Sequence, residues 1–127
     1  QEARLNGANL REAVLLDANL QGARLYKADL YNAFLISANL IGANLESANL
    51  ESAIMHNAKL QGADLRNADL QNADLQNVDL REVDLTQTTG LSQHQIESAI
   101  LCNTKLPDYL LSVESKHMEN RDCHRFN

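Results

Sequence analysis

Apolar residues return at every fifth position over most of this chain. Leucine stands at positions 5 through 85 in steps of five, seventeen positions with Met55 the one exception. Two residues before each lies an alanine, from Ala3 to Ala73, and then Val78 and Val83. Residues 3–87 therefore read as tandem units such as Ala8-Asn9-Leu10-Arg11-Glu12. This period fits neither common element. On a helix at about 100° per residue, a step of five turns the side chain by about 140° and scatters the leucines around the axis. On a flat strand the same step sends successive leucines to opposite faces. The leucines share one interior only if the chain turns a corner once per repeat, which predicts a solenoid with coils stacked about 4.8 Å apart.

The outward positions predict the number of sides. The residue before each leucine is polar or charged except at Val14, Phe34 and Ile54, and these are spaced by 20 residues. Just after the leucine, Leu16 and Ile36 repeat that spacing. Four sides per coil stack each set in one column. A three-sided coil would instead align Val14 with Asp29 and Asn44. Four sides is the better register.

The Ala-(Asp/Asn)-Leu-x-x array resembles the pentapeptide-repeat family, whose members form a right-handed, four-sided β-helix. The resemblance implies an all-β solenoid in which the leucine and the small residue two before it point inward. Seventeen units at four per coil give slightly more than four coils, a rod roughly 20 Å long.

The pattern stops near Thr86-Gln87-Thr88-Thr89-Gly90. Ser92 and Gln95 then have capping-box spacing, and Ile96, Ala99 and Ile100 share a helical stripe, predicting a short helix from about 93 to 101. Pro107, followed by Tyr109, Leu110, Val113 and His117, predicts a second helix to about 119. We therefore divide the chain into a repeat β-helix, 1–90, and a helical C-terminal cap and tail, 91–127. The cap is expected to cover leucines of the last coil. The segment from Leu91-Ser92 to Asn103-Thr104-Lys105-Leu106-Pro107 also resembles the tails of cyanobacterial and chloroplast-lumen pentapeptide-repeat proteins.

Composition adds little to the fold. The chain has 127 residues, 44% apolar, with no Trp and a net charge of −6. The leucine core suffices without metal or cofactor. No run of eighteen apolar residues spans a membrane. The first residues, Ala3-Arg4-Leu5, already lie in the repeat and no Met precedes them, which leaves open the removal of an export signal.

Candidate chemistry is sparse. Cys102 and Cys123 are the two cysteines. A metal set with His117 and His124 fits no standard zinc module, and a redox pair lacks the usual Cys-x-x-Cys spacing. A structural disulfide bracketing the tail is the favoured reading, with two free thiols as the alternative. A bridge favours an oxidising periplasm or thylakoid lumen, with the cytoplasm as the alternative. His56 lies outward in the Leu16–Ile36 column and reads as an exposed polar residue. Gly7, Gly22, Gly42 and Gly62 occupy one repeat slot, where turn geometry explains them. No nucleophile elbow, phosphate loop or zincin motif is present, so catalytic, metal and cofactor residues are expected to be none.

The acid excess is uneven. Residues 1–40 hold four basic and four acidic side chains, whereas 41–85 hold three basic and eight acidic. Some members of the resembled family protect DNA gyrase by imitating DNA, which makes a DNA-mimic inhibitor or protector of a type II topoisomerase the alternative function. Here Asp64, Asp69, Asp74, Asp79 and Asp84 wind around all four faces instead of forming one acidic face. With no basic patch, direct nucleic-acid binding is not expected. The better lead is the apolar strip of Val14, Leu16, Phe34, Ile36 and Ile54, which Tyr26, Tyr31 and Ile41 could widen. The expectation is a non-enzymatic scaffold or protein-interaction module, monomeric or weakly dimeric, with an unidentified protein partner.

Overall fold

A computed structural model describes residues 2–110 and 117–126. The chain winds as a four-sided solenoid with twenty residues per coil. Parallel bridges join Arg4 to Arg24 to Asn44, Asn9 to Asp29 to Asn49, Val14 to Phe34 to Ile54, and Asn19 to Asn39 to Lys59. Each side is paired through one bridge residue flanked by corners, too short for a regular strand. The backbone ladder is nonetheless continuous: Leu25 N–H donates to the Asn44 carbonyl at 2.7 Å, and Asn44 N–H to the Ala23 carbonyl at 2.9 Å.

The repeat positions explain themselves one by one. From Leu20 to Leu85, every leucine and Met55 is buried, as are the alanines and valines two residues earlier from Ala23 on. At the first coil Leu5, Leu10 and Leu15 are half-buried and pack against this core from its end. Each corner is a four-residue turn closed by a bond such as Ala28 N–H to the Leu25 carbonyl, 3.0 Å. The residue before the alanine or valine takes positive φ at each corner from Gly7 to Glu82, at Glu12 (60°) and Lys27 (57°) as well as at Gly22 (66°). Asn and Asp before the leucine have a local reason. Their Oδ1 accepts the N–H two residues on, as Asn44 does from Glu46 at 3.0 Å and Asp69 from Gln71 at 2.9 Å. The acidic series is therefore first a set of turn-forming side chains.

The pairing does not end at Gly90. Thr89 bridges Asp69, Ile100 bridges Asp79, and Lys105 bridges Asp84, so a further coil is laid down beyond the leucine array. Its inward residues, Leu91, Ile96, Leu101 and Leu106, are buried and keep the five-residue step after a six-residue step from Leu85. Helix α1, Gln93–Ser98, takes the place of one side of that coil. It opens on the predicted capping box, with Ser92 accepting from Gln95 N–H and the Gln95 side chain accepting from Ser92 N–H. It stops earlier than the stripe suggested. Ala99 is extended, and Ile100 turns outward to pair with Val78 and Leu80 rather than packing on a helix face. The buried Gln95 amide donates to the Leu70 and Ala73 carbonyls, both at 2.8 Å, and so ties α1 to the coil below.

The predicted second helix falls partly outside the described residues, Val113 included. Its described ends are 3₁₀ turns, Asp108–Leu110 and His117–Asn120. A third, Cys123–Phe126, follows. This tail lies against the last coil and supplies what a next coil would have. Asp122 Oδ2 accepts from Leu101 N–H (2.9 Å), Asn120 Oδ1 from Asn103 N–H (2.8 Å) and Glu119 Oε2 from Leu106 N–H (2.7 Å). Three side-chain oxygens thus replace three carbonyls and cover an edge that would otherwise be open for pairing.

Candidate interaction surface

The Val14–Phe34–Ile54 column stands as its 20-residue spacing predicts, each residue bridged to the next. Val14 is 70% exposed, Leu16 51% and Phe34 37%, while Ile36 and Ile54 are half-buried between neighbouring coils. The five residues line one side and the corner after it. Backbone hydrogen bonds within the ladder already use the peptide groups beneath them, so this face offers only side-chain surface.

The strip has a defined end. The next residue after Ile54 in its column is Asp74, bridged to it, and the next after Ile36 is His56. His56 Nε2 bonds Asp74 Oδ2, and Asp74 Oδ1 accepts from Gln76 N–H. A polar pair therefore closes the apolar face, with Asp74 one coil beyond Ile54 and His56 one coil beyond Ile36. The 18-residue offset between His56 and Asp74 was present in the sequence, but it has meaning only once the corners are known.

Of the three flanking residues, Tyr31 alone borders the strip, at the corner before Val14's side. Arg11 lies over its ring at 4.4 Å and donates to Asp29 Oδ2 at 3.0 Å. Burial opposes the Asp29 charge, but Arg11 and the Tyr31 N–H outweigh it and hold this carboxyl below its ordinary range. Tyr26 and Ile41 sit at corners a full side away, so they do not widen the patch.

The acidic series is largely engaged. Arg66 donates to Asp64 (2.7 Å) and reaches Glu46, and Arg81 donates to Asp79 (2.7 Å). The Arg66 guanidinium lowers the Asp64 pKa; at Asp79 burial acts the other way and Arg81 prevails. Arg81 also lies 3.7 Å from the Phe126 ring centroid, joining the fourth coil to the tail.

Cys102 and Cys123 are joined, sulfur to sulfur at 2.05 Å with Cα atoms 4.8 Å apart. The two sulfurs that a metal set would need thus bond each other, and His117 and His124 lie exposed. Among the described residues no group of three His, Cys, Asp or Glu side chains could hold a metal ion. Nor is any helix among them long and apolar enough to cross a membrane. The tail residues Glu119, Asn120 and Asp122 escaped sequence reasoning, because they follow no period.

Comparison with solved structures gives Rfr23, a pentapeptide repeat protein from the cyanobacterium Cyanothece 51142, at 37% identity and TM-score 0.60, covering 80% of this chain and 65% of that one. HetL of Nostoc sp. PCC 7120, involved in heterocyst differentiation regulation, matches at 29% identity and TM-score 0.31, over 84% of this chain and 54% of its own. This chain thus spans less than two thirds of the length of either. No curated protein matches it. The sequence profile of pentapeptide repeats matches in eight copies, over residues 1–35, 18–57, 28–67 and 55–87. The profile runs over the same residues as the five-residue period and the ladder it builds, and the chain belongs to the pentapeptide-repeat family.

Proposed function

We propose that this protein is a non-enzymatic scaffold that binds a protein partner through the strip of Val14, Leu16, Phe34, Ile36 and Ile54. The observation that carries the reading is the alignment of exposed Val14 and Phe34 in one bridged column, ended by the His56–Asp74 pair. Isolated exposed apolar residues scatter, whereas a contiguous face marks a contact surface. We take the winding to be right-handed, as in the family, and the segment from Leu91 onward to act as the cap. The bridge between Cys102 and Cys123 supports residence in an oxidising compartment such as a periplasm or thylakoid lumen. Affinity capture from a soluble extracytoplasmic fraction tests the reading. The native protein should retain a partner that Phe34→Ser loses and Asn44→Ser keeps. Equal capture by all three would refute the strip.

The alternative, a DNA mimic acting on a type II topoisomerase, rests on the acid excess of residues 41–85. A gyrase supercoiling assay with excess protein separates the two, since a scaffold should leave supercoiling unchanged.

A further inference from the structure

The side opposite the apolar strip carries cations that form no ion pair among the described residues. Arg4 bridges Arg24, which sets the two arginines on adjacent coils, with backbones about 4.8 Å apart. Lys27 follows at the next corner, its ammonium 5.3 Å from the Tyr26 ring centroid. Among the described residues none of the three forms an ion pair, whereas Arg11, Arg66, Arg81 and Arg121 each do. Like charges directly opposite on paired backbone repel. The chain has 17 acidic residues, yet the neighbour of Arg24 in this column is Asn44, and the first acid in it, Asp64, lies one coil further on.

Beside this pair runs an open groove of about 980 Å³, with Arg4 and Arg24 on one edge and Asn19 and Gln21 on the other. Gly22 and Gly42 form the corner between them. A side chain at Gly42 would meet nothing within 4 Å, so the corner is bare there, whereas at Gly22 a Cβ would meet the Glu2 side chain at 3.0 Å. Both glycine N–H groups are spent on the next coil, at the Ile41 and Gln61 carbonyls. Any ligand must therefore be held by side chains. Glu2 lines the groove as well, lying along Gly22, and forms no ion pair with either arginine.

We propose that this groove is an oxyanion site, holding a phosphate dianion, free or protein-borne, between Arg4 and Arg24. Each guanidinium is a planar fork of donors suited to two oxygens. A carboxylate fills one fork and neutralises one charge. A phosphate dianion presents three terminal oxygens, engages both forks and balances both charges. The site is independent of the strip, which lies across the rod.

The test is a nuclear magnetic resonance titration of the whole chain, in which sodium phosphate replaces chloride at constant ionic strength. The Gly22 and Gly42 amides should shift to saturation. Arg4→Gln and Arg24→Gln should each weaken binding at least tenfold, Glu2→Gln should tighten it, and Arg66→Gln, which removes a paired arginine, should leave it unchanged. A phosphoserine peptide that saturates the same amides while its unphosphorylated twin does not would identify a protein-borne phosphate. Binding of inorganic phosphate alone would identify a free one. Linear shifts without saturation, or equal saturation in the Arg4→Gln/Arg24→Gln double variant, would overturn the site.

Discussion

Asp122 closes both sides of Leu101. Its N–H donates to the Leu101 carbonyl at 2.9 Å, and its carboxylate accepts from the Leu101 N–H at 2.9 Å. Burial works against the charge of Asp122, but the Leu101 N–H and Arg121 outweigh it and keep its pKa below the ordinary 3.8. A carboxyl depressed in the folded state stabilises above its unfolded pKa and loses that contribution as pH falls through the folded value. Asp122→Ala should therefore cost about 1.5–3 kcal/mol at neutral pH, the usual worth of a hydrogen bond to a charged group. The difference from the native protein should shrink as pH drops from about 5 to about 2. Urea denaturation at pH 7 and pH 2 measures it, and an equal gap at both would show that the charge is immaterial.

The disulfide sits beside this clamp, since Cys102 follows Leu101 and Cys123 follows Asp122. Mass spectrometry without reductant should find the two cysteines linked. The bond closes a loop of 21 residues, so reduction should cost about 3 kcal/mol on the chain-entropy account. Hydrogen exchange should then quicken at Leu101, Asn103 and Leu106, whose N–H groups the tail covers, and stay slow at Leu45. A uniform change along the rod would mean that the tail is not a separate cap.

Much of this was legible in advance, for a physical reason. A leucine every fifth residue has one economical burial, and the apolar intruders Val14, Phe34 and Ile54 mark the coil length because unusual residues reveal columns. The continuation beyond Gly90 was harder to read. Leu91, Ile96, Leu101 and Leu106 keep the period, but the extra residue after Leu85 shifts its phase, and Ile96, Ala99 and Ile100 also fit a helical stripe. The period held throughout, whereas the helix ends at Ser98, leaving Ala99 extended and Ile100 in the ladder. The tail's Glu119, Asn120 and Asp122 carry no pattern, since one-off side-chain bonds depend on where the chain returns. The Arg4–Arg24 pair is hidden similarly, its members being 20 residues apart.

The glycines separate two reasons for the same residue. Gly42 has φ 66° and open space where a Cβ would lie, and its slot is filled by Glu12 and Lys27 elsewhere. Gly42→Ala should cost only about 1 kcal/mol, the left-handed backbone penalty. Gly90 has φ 82°, and a Cβ there would lie 2.7 Å from the Cα, Cβ and N of Gln71. That contact is with backbone and cannot be relieved by a rotamer. Gly90→Ala should add about 1–3 kcal/mol of overpacking to the same penalty. Denaturation midpoints of the two variants should differ clearly, and similar midpoints would mean that the fifth coil shifts to make room.

Leu45 and Phe34 are both large and apolar, yet they should respond oppositely to a polar replacement. Leu45 is 0% exposed, with Leu25 and Leu65 at the same slot of the coils on either side. Leu45→Asp would put a charge where no partner or water reaches, and its burial costs more than the whole stability of a domain this size. The variant should lose its native circular dichroism. Phe34 projects from the outer face at 37% exposure, and its peptide N–H donates to the Ala13 carbonyl whatever its side chain. Phe34→Ser should therefore keep the fold and lower stability by about 1 kcal/mol or less, while removing the aromatic anchor of the strip. Asn44→Ser, at the same slot on another side, keeps a side-chain oxygen for the Glu46 N–H and should change neither fold nor binding. If Phe34→Ser unfolded the protein as Leu45→Asp does, the strip would be core rather than contact surface.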